Sequence, residues 1–255
     1  MTASGAGGVV LVTGASGGVG RGIAIACGAA GWSVWVAARR QVEGRRVADE
    51  VTSAGGRGTF VECDVAEADS VAAAVAAVVE GEGRLTGAVH NATSGRSPEP
   101  VVPSDVPLDH LRDHVVVSVR GAYLLAHHAY PHLVASRGSL VLLTSEAGFG
   151  GTMRLAPYAA VKGAVRGLAR SWAREWGGDG VRVNCVAPLA ESPAVTVAMA
   201  ADPTMAERVL GHHPMGRLGH PVDDVGPVVR FLLSDEAGYV TGMTVMVDGG
   251  NAPIT

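Results

Sequence analysis

The sequence predicts an α/β fold: a single doubly wound domain in which a parallel seven-stranded sheet carries helices on both faces. Short runs rich in Val and Leu alternate with longer Ala-rich segments of helical period, which is typical of strands joined by crossover helices. The short runs are apolar on both faces, as in a sheet that helices cover on both sides. The 255 residues and the 47 % apolar composition suit one large domain, residues 1–255, without a linker or repeat.

The predicted elements alternate as strand and helix along the chain. Strands are expected at Val9–Thr13, Ser33–Ala37, Gly58–Cys63, Gly87–His90, Ser139–Thr144, Val181–Ala187 and Thr244–Val247. Helices are expected between them at Gly18–Ala30, Gln41–Ala54, Ala68–Val79, Leu108–His132, Tyr158–Trp176 and Val222–Leu233. Each helix returns the chain to the start of the next parallel strand.

Two stretches fall outside this alternation. Residues Ala92–Pro107 carry four prolines, and we interpret them either as a substrate-facing loop or as an ordinary surface excursion. Residues Ala190–Met215 are rich in apolar side chains and follow the end of the sixth strand, at the sheet edge where such folds bind ligands. We therefore predict a substrate lid around residues 190–215.

The bulk composition argues against several classes of protein. A net charge of -4, a pI near 6.1 and scattered arginines give no basic face for nucleic acid. Cys27, Cys63 and Cys185 have the spacing of neither a disulfide framework nor a zinc site, so no metal is expected and a reducing compartment fits best. Met1–Gly8 lacks the pattern of a secretion signal, and no segment has the apolar length of a membrane span. We expect a soluble cytoplasmic protein.

A glycine-rich turn joins the first predicted strand to the first helix. Because Gly14 and Gly18 have no side chains, the backbone can approach a pyrophosphate held at the helix N-terminus. Gly20 lets that helix pack closely on the sheet. Strand, turn and helix occur in the order that gives such a run meaning, so we predict a dinucleotide site. The run consists of Thr13, Gly14, Ala15, Ser16, Gly17, Gly18, Val19 and Gly20.

The residues after the second strand indicate which dinucleotide is bound. A carboxylate there would accept hydrogen bonds from the adenosine ribose of NAD(H) and repel a 2'-phosphate. This chain has Arg39 and Arg40 instead, and paired arginines can clamp a phosphate. We therefore predict NADP(H). The alternative is that one or both arginines, Arg40 more than Arg39, merely solvate the start of the next helix.

Tyr158 and Lys162 form a second candidate site. Lys162 is the sole lysine among 20 lysine and arginine residues, which indicates that a broad, permanently charged guanidinium cannot replace it. Residues four apart on a helix share a face, so the ammonium and the phenol can converge. The ammonium is expected to lower the pKa of the phenol, which makes Tyr158 a candidate acid or base.

Ser145 follows the fifth strand and adds a hydroxyl at the same edge of the sheet. Ser145 and Tyr158 together can hold a carbonyl oxygen from two sides: in a reduction by NADPH, Tyr158 donates a proton to the developing alkoxide and Ser145 stabilises its charge. Taken singly, Tyr158 would be interpreted as a residue that packs at the start of a helix, and Ser145 as one that forms a hydrogen bond at the end of a strand. Their order and spacing together favour the catalytic interpretation.

With these motifs the chain resembles the short-chain dehydrogenases/reductases of about this length, nearly from end to end. The resemblance implies a Rossmann fold and a homo-oligomer, a tetramer or a dimer, formed through the helices Leu108–His132 and Tyr158–Trp176. It also implies that Lys162 holds the nicotinamide ribose. Further matching residues are Asp64 and Val65, implied to flank the adenine, Asn91 and Ala92, implied to lie along the cofactor, Pro188, implied to border the nicotinamide, and Asn184 and Val247-Asp248-Gly249-Gly250.

The chain departs from the family's pattern beside the predicted active site. The family usually has an asparagine that supports a proton-relay water where this chain has Ser118, so Ser118 is the candidate for that role. Thr93 and Leu189 replace usual glycines, and both side chains narrow the space near the cofactor. Ser192 can take the place of a usual threonine.

The histidines are assigned to the surface. His127, His128 and His132 lie on one predicted helix without an acidic residue to complete a metal site. His212 and His213 lie in the predicted lid, where they can either meet a substrate or lie on the surface, and the surface role is the one expected.

The sequence therefore predicts an NADP(H)-dependent reductase that converts a ketone to a secondary alcohol, or the reverse, on a small neutral or hydrophobic substrate. Three alternatives stay open at this point. The chain can be a dehydratase, isomerase or cyclase that uses Tyr158 and Lys162 with the cofactor idle, a non-catalytic nucleotide-binding scaffold, or an NAD(H)-dependent enzyme.

Overall fold

Seven parallel strands form one sheet in a computed structural model, which describes residues 7–97, 99–192, 195, 211 and 213–252. The strands are β1 (Val9–Thr13), β2 (Ser33–Ala38), β3 (Arg57–Glu62), β4 (Gly87–His90), β5 (Ser139–Leu143), β6 (Arg182–Pro188) and β7 (Thr244–Val247). Their order across the sheet is β3-β2-β1-β4-β5-β6-β7.

Eight α-helices connect the strands in the described part of the chain. They are α1 (Gly18–Ala29), α2 (Gln41–Ser53), α3 (Ala68–Glu82), α4 (Leu108–His114), α5 (Gly121–Ser136), α6 (Ala147–Gly150), α7 (Ala156–Trp176) and α8 (Gly226–Leu233). Two π-helical turns join them, Val115–Arg120 between α4 and α5 and Pro221–Val225 before α8. Short 3-10 turns lie at Pro103–Asp105, Gly177–Asp179 and Asp235–Ala237.

Apolar side chains fill both faces of the sheet. Leu11 and Leu140 are fully buried on one face, against α3, α5 and α7. Val10 and Val141 are fully buried on the other, against α1, α2 and α8. The predicted doubly wound parallel sheet with helices on both faces is confirmed. Of the helices that the structure describes, none is long and apolar enough to cross a membrane.

The boundaries of most elements differ slightly from the predicted ones. α7 begins at Ala156 instead of Tyr158, because Pro157 has a φ angle that suits the first turn of a helix. α3 continues to Glu82 beyond the predicted end at Val79. Most of the predicted lid, including 196–210, lies outside the described residues.

The long helix before β5 also differs from the prediction of Leu108–His132. It consists of α4, the π-helical turn and α5, and it ends at Ser136, where Arg137 adopts a left-handed conformation with φ 51°. π-helical turns often occur near functional sites. This one lies beside Tyr158, since both α4 and the turn pack against α7.

The strand order reverses at β1, which positions the ligand-binding edge of the sheet. Thr13, the last residue of β1, pairs with Ala37 of β2 on one side and with His90 of β4 on the other. The crossover helices leave β1 and β4 towards opposite faces, so a crevice opens beyond the carboxyl ends of these two strands. The glycine-rich turn begins at this crevice.

Close packing of α1 against the π-helical turn Pro221–Val225 depends on the small size of Gly22. A Cβ atom at Gly22 would lie 2.3 Å from the carbonyl carbon of Pro221, which is backbone and cannot move aside easily. We expect Gly22→Ala to lower the free energy of unfolding by about 1–3 kcal/mol. Gly178→Ala is the control, since nothing lies within 4 Å of its Cβ position. Equal urea denaturation midpoints for the two variants would contradict this account of the packing.

Candidate active site

The predicted site residues meet in one groove at the carboxyl edge of the sheet. The groove has a volume of about 630 Å³ and runs from the end of β2, past the glycine turn, to the start of α7. The predicted residues that line it are Gly14, Ser16, Gly17, Gly18, Val19, Arg39, Arg40, Asp64, Val65, Asn91, Ala92, Ser145, Tyr158, Lys162 and Pro188. Two predicted residues, Gly20 and Ser118, are not part of its lining.

Asn91 ties the glycine turn to the end of β4. Its side-chain amide donates hydrogen bonds to the carbonyls of Thr13 at 3.2 Å and Gly14 at 3.0 Å. Gly14 has φ +64°, and a Cβ there would lie 2.8 Å from the Cα of Ala92. A Cβ at Gly20 would lie 2.5 Å from the Asn91 amide nitrogen. Gly20 therefore allows the close packing that the sequence predicts, while lying outside the groove.

The start of α1 is suited to hold a dinucleotide's pyrophosphate. Gly17 precedes the helix, and no side chain caps the first backbone N–H groups. Unpaired N–H groups and the positive end of the helix dipole attract a phosphate. Since Gly17 and Gly18 line the groove without side chains, phosphate oxygens can reach these donors. The residues present fit a nicotinamide dinucleotide.

Arg39 and Arg40 lie at the end of the groove nearest β2. A guanidinium nitrogen of Arg40 donates to the Ser16 hydroxyl at 3.0 Å, and another lies 3.6 Å from the Glu43 carboxylate. Arg39 lies 3.8 Å from the carboxylate of Asp64. Arg40 thus contacts both the glycine turn, through Ser16, and the first turn of α2, through Glu43. Both side chains are more than half exposed, so both can turn towards a phosphate.

Lys162 is held by two consecutive residues at the end of β5. Its ammonium donates to the carbonyl of Leu143 at 2.8 Å, and the hydroxyl of Thr144 donates to the backbone carbonyl of Lys162, also at 2.8 Å. The ammonium lies 5.6 Å from the centre of the Tyr158 ring. Ser145 follows Thr144 directly and lines the groove beside Tyr158. The structure therefore brings the predicted serine, tyrosine and lysine together.

The pKa of Tyr158 shifts in the direction opposite to the sequence-based expectation. Although the ring is partly exposed to the groove, desolvation by the surrounding protein raises the pKa of Tyr158, and the neighbouring Ser145 hydroxyl only opposes this rise. The Lys162 ammonium does not bring the pKa of the phenol below its ordinary value as expected, and burial lowers the pKa of Lys162 itself to about 8. The phenol is therefore protonated at neutral pH.

Ser118 is buried in the π-helical turn, away from the groove. Its hydroxyl lies 3.5 Å from that of Thr93, which does line the groove. Leu189 and Ser192 line the groove as well. Three of the four departures from the family's pattern, Thr93, Leu189 and Ser192, therefore lie in the groove wall, whereas Ser118 acts at most through Thr93.

Several buried histidines near the site were not singled out by the sequence. The Nδ1 atom of His90 lies 3.3 Å from the hydroxyl of Thr13, and burial, followed by Lys162, lowers the pKa of His90 to about 3. His110 and His114 lie buried on α4, and the ring of His114 lies edge-on to that of Tyr158. Their four-residue spacing was a signal for a shared face, but the contact with α7 is visible only in the fold.

The surface assignment of His213 is wrong. His213 is 6 % exposed, and a Cβ at Gly249 would lie 2.4 Å from its Cε1 atom, so the ring packs directly against this glycine. His212 lies outside the described residues. His127, His128 and His132 are all partly or fully accessible on α5, as expected.

Comparisons with known proteins agree on one family. A family model described as enoyl-(acyl carrier protein) reductase matches residues 14–252. An L-fucose dehydrogenase of Oryctolagus cuniculus is 36 % identical over 252 residues, covering 96 % of this chain and 85 % of that protein. An L-rhamnose 1-dehydrogenase (NAD(P)(+)) of Azotobacter vinelandii is 35 % identical over 248 residues, covering 94 % of this chain and 95 % of that protein. A solved short-chain type dehydrogenase/reductase from Mycobacterium ulcerans superposes with a TM-score of 0.90 at 31 % identity, covering 96 % and 90 % of the two chains.

Burial of the Lys162 ammonium predicts a pH-dependent stability. Its pKa is about 8 in the folded protein and 10.5 ordinarily, so between these values the unfolded chain binds more protons. Stability should rise with pH across this window, by about 3 kcal/mol relative to Lys162→Met. Urea unfolding at a series of pH values measures the difference. Arg46→Met, at an exposed cation, is the control. A wild-type curve parallel to that of Lys162→Met would mean that the ammonium is not desolvated.

Proposed function

Since the chain belongs to the short-chain dehydrogenase/reductase family, we propose that it is an NADP(H)-dependent oxidoreductase that reduces a carbonyl group to a secondary alcohol, or runs the reverse reaction. The observation that carries this proposal is the continuous groove from the arginine pair, past the glycine turn, to Ser145 and Tyr158. When bound, NADPH supplies the hydride for the carbonyl carbon.

The state of the phenol suits the proton donation that a reduction needs. Because the pKa of Tyr158 is raised, the phenol carries its proton at neutral pH and can donate it to the carbonyl oxygen as negative charge develops there. The Ser145 hydroxyl donates a second hydrogen bond to the same oxygen. The nearby ammonium of Lys162, held at Leu143, adds a positive field that stabilises the phenolate left behind.

The wall of the groove near Tyr158 favours a neutral substrate. Apart from Lys162, the lining residues at this end are hydroxyl-bearing or aliphatic, and the charged residues Arg39, Arg40 and Asp64 lie at the other end. Among the described residues of this wall, a cationic substrate would find no counter-charge, and the ammonium of Lys162 is already hydrogen-bonded to Leu143. The sugars in the names of the two dehydrogenases above are small neutral molecules with hydroxyl groups. The substrate we propose is a small neutral carbonyl compound or the corresponding alcohol.

The assembly and location are part of the same proposal. Tyr123 on α5 is 55 % exposed and lies against Trp172 of α7, whose ring stacks on Trp176 at 5.4 Å. The exposed Tyr123, seated on the buried Trp172 between these two helices, supports a homo-oligomer, a dimer or tetramer, formed through them. The three cysteines are all free and buried, which suits a reducing cytoplasm.

The cofactor preference can be tested without a known substrate. We expect the protein to bind NADPH more tightly than NADH in a fluorescence titration. Arg39→Ala and Arg40→Ala should each weaken NADPH binding by about 10- to 100-fold, the loss expected for a charged hydrogen bond, and leave NADH binding unchanged. Arg46→Ala, at an exposed arginine of α2, is the matched control. Equal loss of both cofactors, or a preference for NADH, would refute the NADP(H) assignment.

The role of Tyr158 can be tested by removing a single hydroxyl. We expect Tyr158→Phe to bind NADPH as the wild type does but to reduce carbonyl compounds about 100- to 10,000-fold more slowly, since the proton donor is lost. Tyr239→Phe, at a fully exposed tyrosine, should keep full activity. Absorbance of NADPH follows the reaction. Product formed with no change in NADPH would instead indicate a dehydratase, isomerase or cyclase. NADPH binding with a biological function that does not need the Tyr158 hydroxyl would indicate a non-catalytic scaffold.

A further inference from the structure

Two hydroxyl groups on the groove wall have no part in the proposed reaction. They belong to Thr93 and Ser97, the hydroxyl pair, whose side-chain oxygens are 2.8 Å apart and whose residues both line the groove. Two hydroxyls at this distance share one hydrogen bond, in which one donates and the other accepts. One O–H of the pair is left over, and both oxygens keep lone pairs. The pair can therefore donate to and accept from a third hydroxyl group.

A buried serine holds the turn that carries the hydroxyl pair. Ser94 is 2 % exposed, and its hydroxyl donates to the Asp113 carboxylate and accepts from the backbone N–H of Arg96 at 3.1 Å. The backbone N–H of Ser97 donates to the Ser94 carbonyl at 3.0 Å, which closes the turn and brings Ser97 back to Thr93. The Ser94 hydroxyl is thus used inside the protein, whereas both hydroxyls of the pair belong to residues that are accessible from the groove.

Charged contacts fix the rest of this loop to α4. The Arg96 guanidinium lies 3.4 Å from the carboxylate of Asp109, and the Glu99 carboxylate lies 3.8 Å from the Nδ1 atom of His110. Each contact is weak by itself because it is at least partly exposed to water. Together with the contact of Ser94 they join three places on the loop to one helix. The hydroxyl pair is therefore held in position before any substrate binds, which lowers the entropy cost of binding.

The loop flanks the end of the groove where the reaction is proposed to occur. The Thr93 hydroxyl lies 3.5 Å from that of Ser118 in the π-helical turn, and this turn packs against α7, the helix that carries Tyr158. Further along the loop, the backbone N–H of Val101 donates to the carbonyl of Arg154, just before α7, at 2.7 Å. The hydroxyl pair thus lies on the wall that faces a substrate held at Tyr158.

We propose that Thr93 and Ser97 bind a hydroxyl group of the substrate, so that the enzyme prefers alcohols and carbonyl compounds that carry at least one further hydroxyl. This inference rests on the oxidoreductase function proposed above, and it names the substrate class of the same site. The class is that of sugars and other polyols, and plain hydrophobic ketones are poorer substrates. Ser145 and Tyr158 hold the reacting oxygen, while the hydroxyl pair determines specificity.

The size of the preference follows from the openness of the groove. A substrate hydroxyl replaces the water on the pair with equivalent hydrogen bonds, whereas a CH2 group in the same place removes that water and returns no hydrogen bond. A closed site that hydrogen-bonds a substrate hydroxyl can reject the analogue without it by about 10,000-fold or more. Here water can still reach Thr93 and Ser97, so we expect a preference of about 3- to 10-fold for a single hydroxyl.

The test measures kcat/KM with NADP+ for cyclohexanol and for its 1,2-, 1,3- and 1,4-diols, which add one hydroxyl at increasing distance from the carbon that is oxidised. The wild type should prefer at least one diol to cyclohexanol by about 3- to 10-fold. Thr93→Val and Ser97→Ala should each bring this ratio close to one, because a hydroxyl of the pair is lost. Thr93→Ser keeps the hydroxyl and should keep the ratio. Ser53→Ala, which removes an exposed hydroxyl on α2, is the matched control.

Several outcomes would overturn the hydroxyl preference. Equal kcat/KM for cyclohexanol and every diol in the wild type is the first, and a wild-type ratio in both Thr93→Val and Ser97→Ala is the second. If these variants bind NADPH more weakly but keep the ratio, the pair serves the cofactor instead of the substrate. If Thr93→Ser loses the ratio as Thr93→Val does, the shape of the side chain matters and the hydroxyl does not.

Failure of this inference can be told apart from failure of the proposed function. Oxidation of cyclohexanol without a preference for any diol would refute the hydroxyl preference and leave the oxidoreductase function in place. A wild type that oxidises none of the four alcohols but reduces a ketone without further hydroxyls would have the same meaning. A wild type that neither oxidises an alcohol nor reduces a carbonyl compound would refute the oxidoreductase function, and the hydroxyl preference with it.

Discussion

The buried ammonium of Lys162 is the constraint on which the geometry of the site depends. A cation inside the protein must be hydrogen-bonded to be tolerated. Leu143 accepts that hydrogen bond, and Thr144 in turn binds the Lys162 carbonyl, so the end of β5 and one residue of α7 hold each other in place. Tyr158 lies one helical turn before Lys162, and Ser145 directly follows Thr144. The same two contacts therefore position both hydroxyls against each other.

Desolvation dominates the protonation states of the groups around Lys162. It raises the pKa of Tyr158 and lowers those of Lys162 and His90, so every one of these groups is driven towards its neutral form. The effect is opposite to that of an ion pair, which favours charged forms on both partners. A site of this kind responds strongly to whatever fills the groove, since each new hydrogen bond or charge acts in a medium with little water.

Local patterns made much of this structure predictable. The apolar strands, the glycine turn and the four-residue spacing of Tyr158 and Lys162 are encoded in adjacent residues, and all of them lie where the sequence places them. The direction of the Tyr158 shift could not be predicted, because it depends on how much protein surrounds the ring. The contact of the His114 ring with Tyr158 could not be predicted either, because the sequence does not show which face of α4 packs against α7.

The π-helical turn Val115–Arg120 has a consequence for how insertions and deletions are tolerated. One residue changes the angular phase of a helix by about 100°. Upstream of the turn, the phase places His114 against Tyr158; downstream, it places Leu125 and Leu133 in the core. If a single residue were lost here, either the contact of His114 with Tyr158 or the burial of Leu125 and Leu133 could be kept, but not both. The length of this segment should therefore be fixed far more strictly than its sequence.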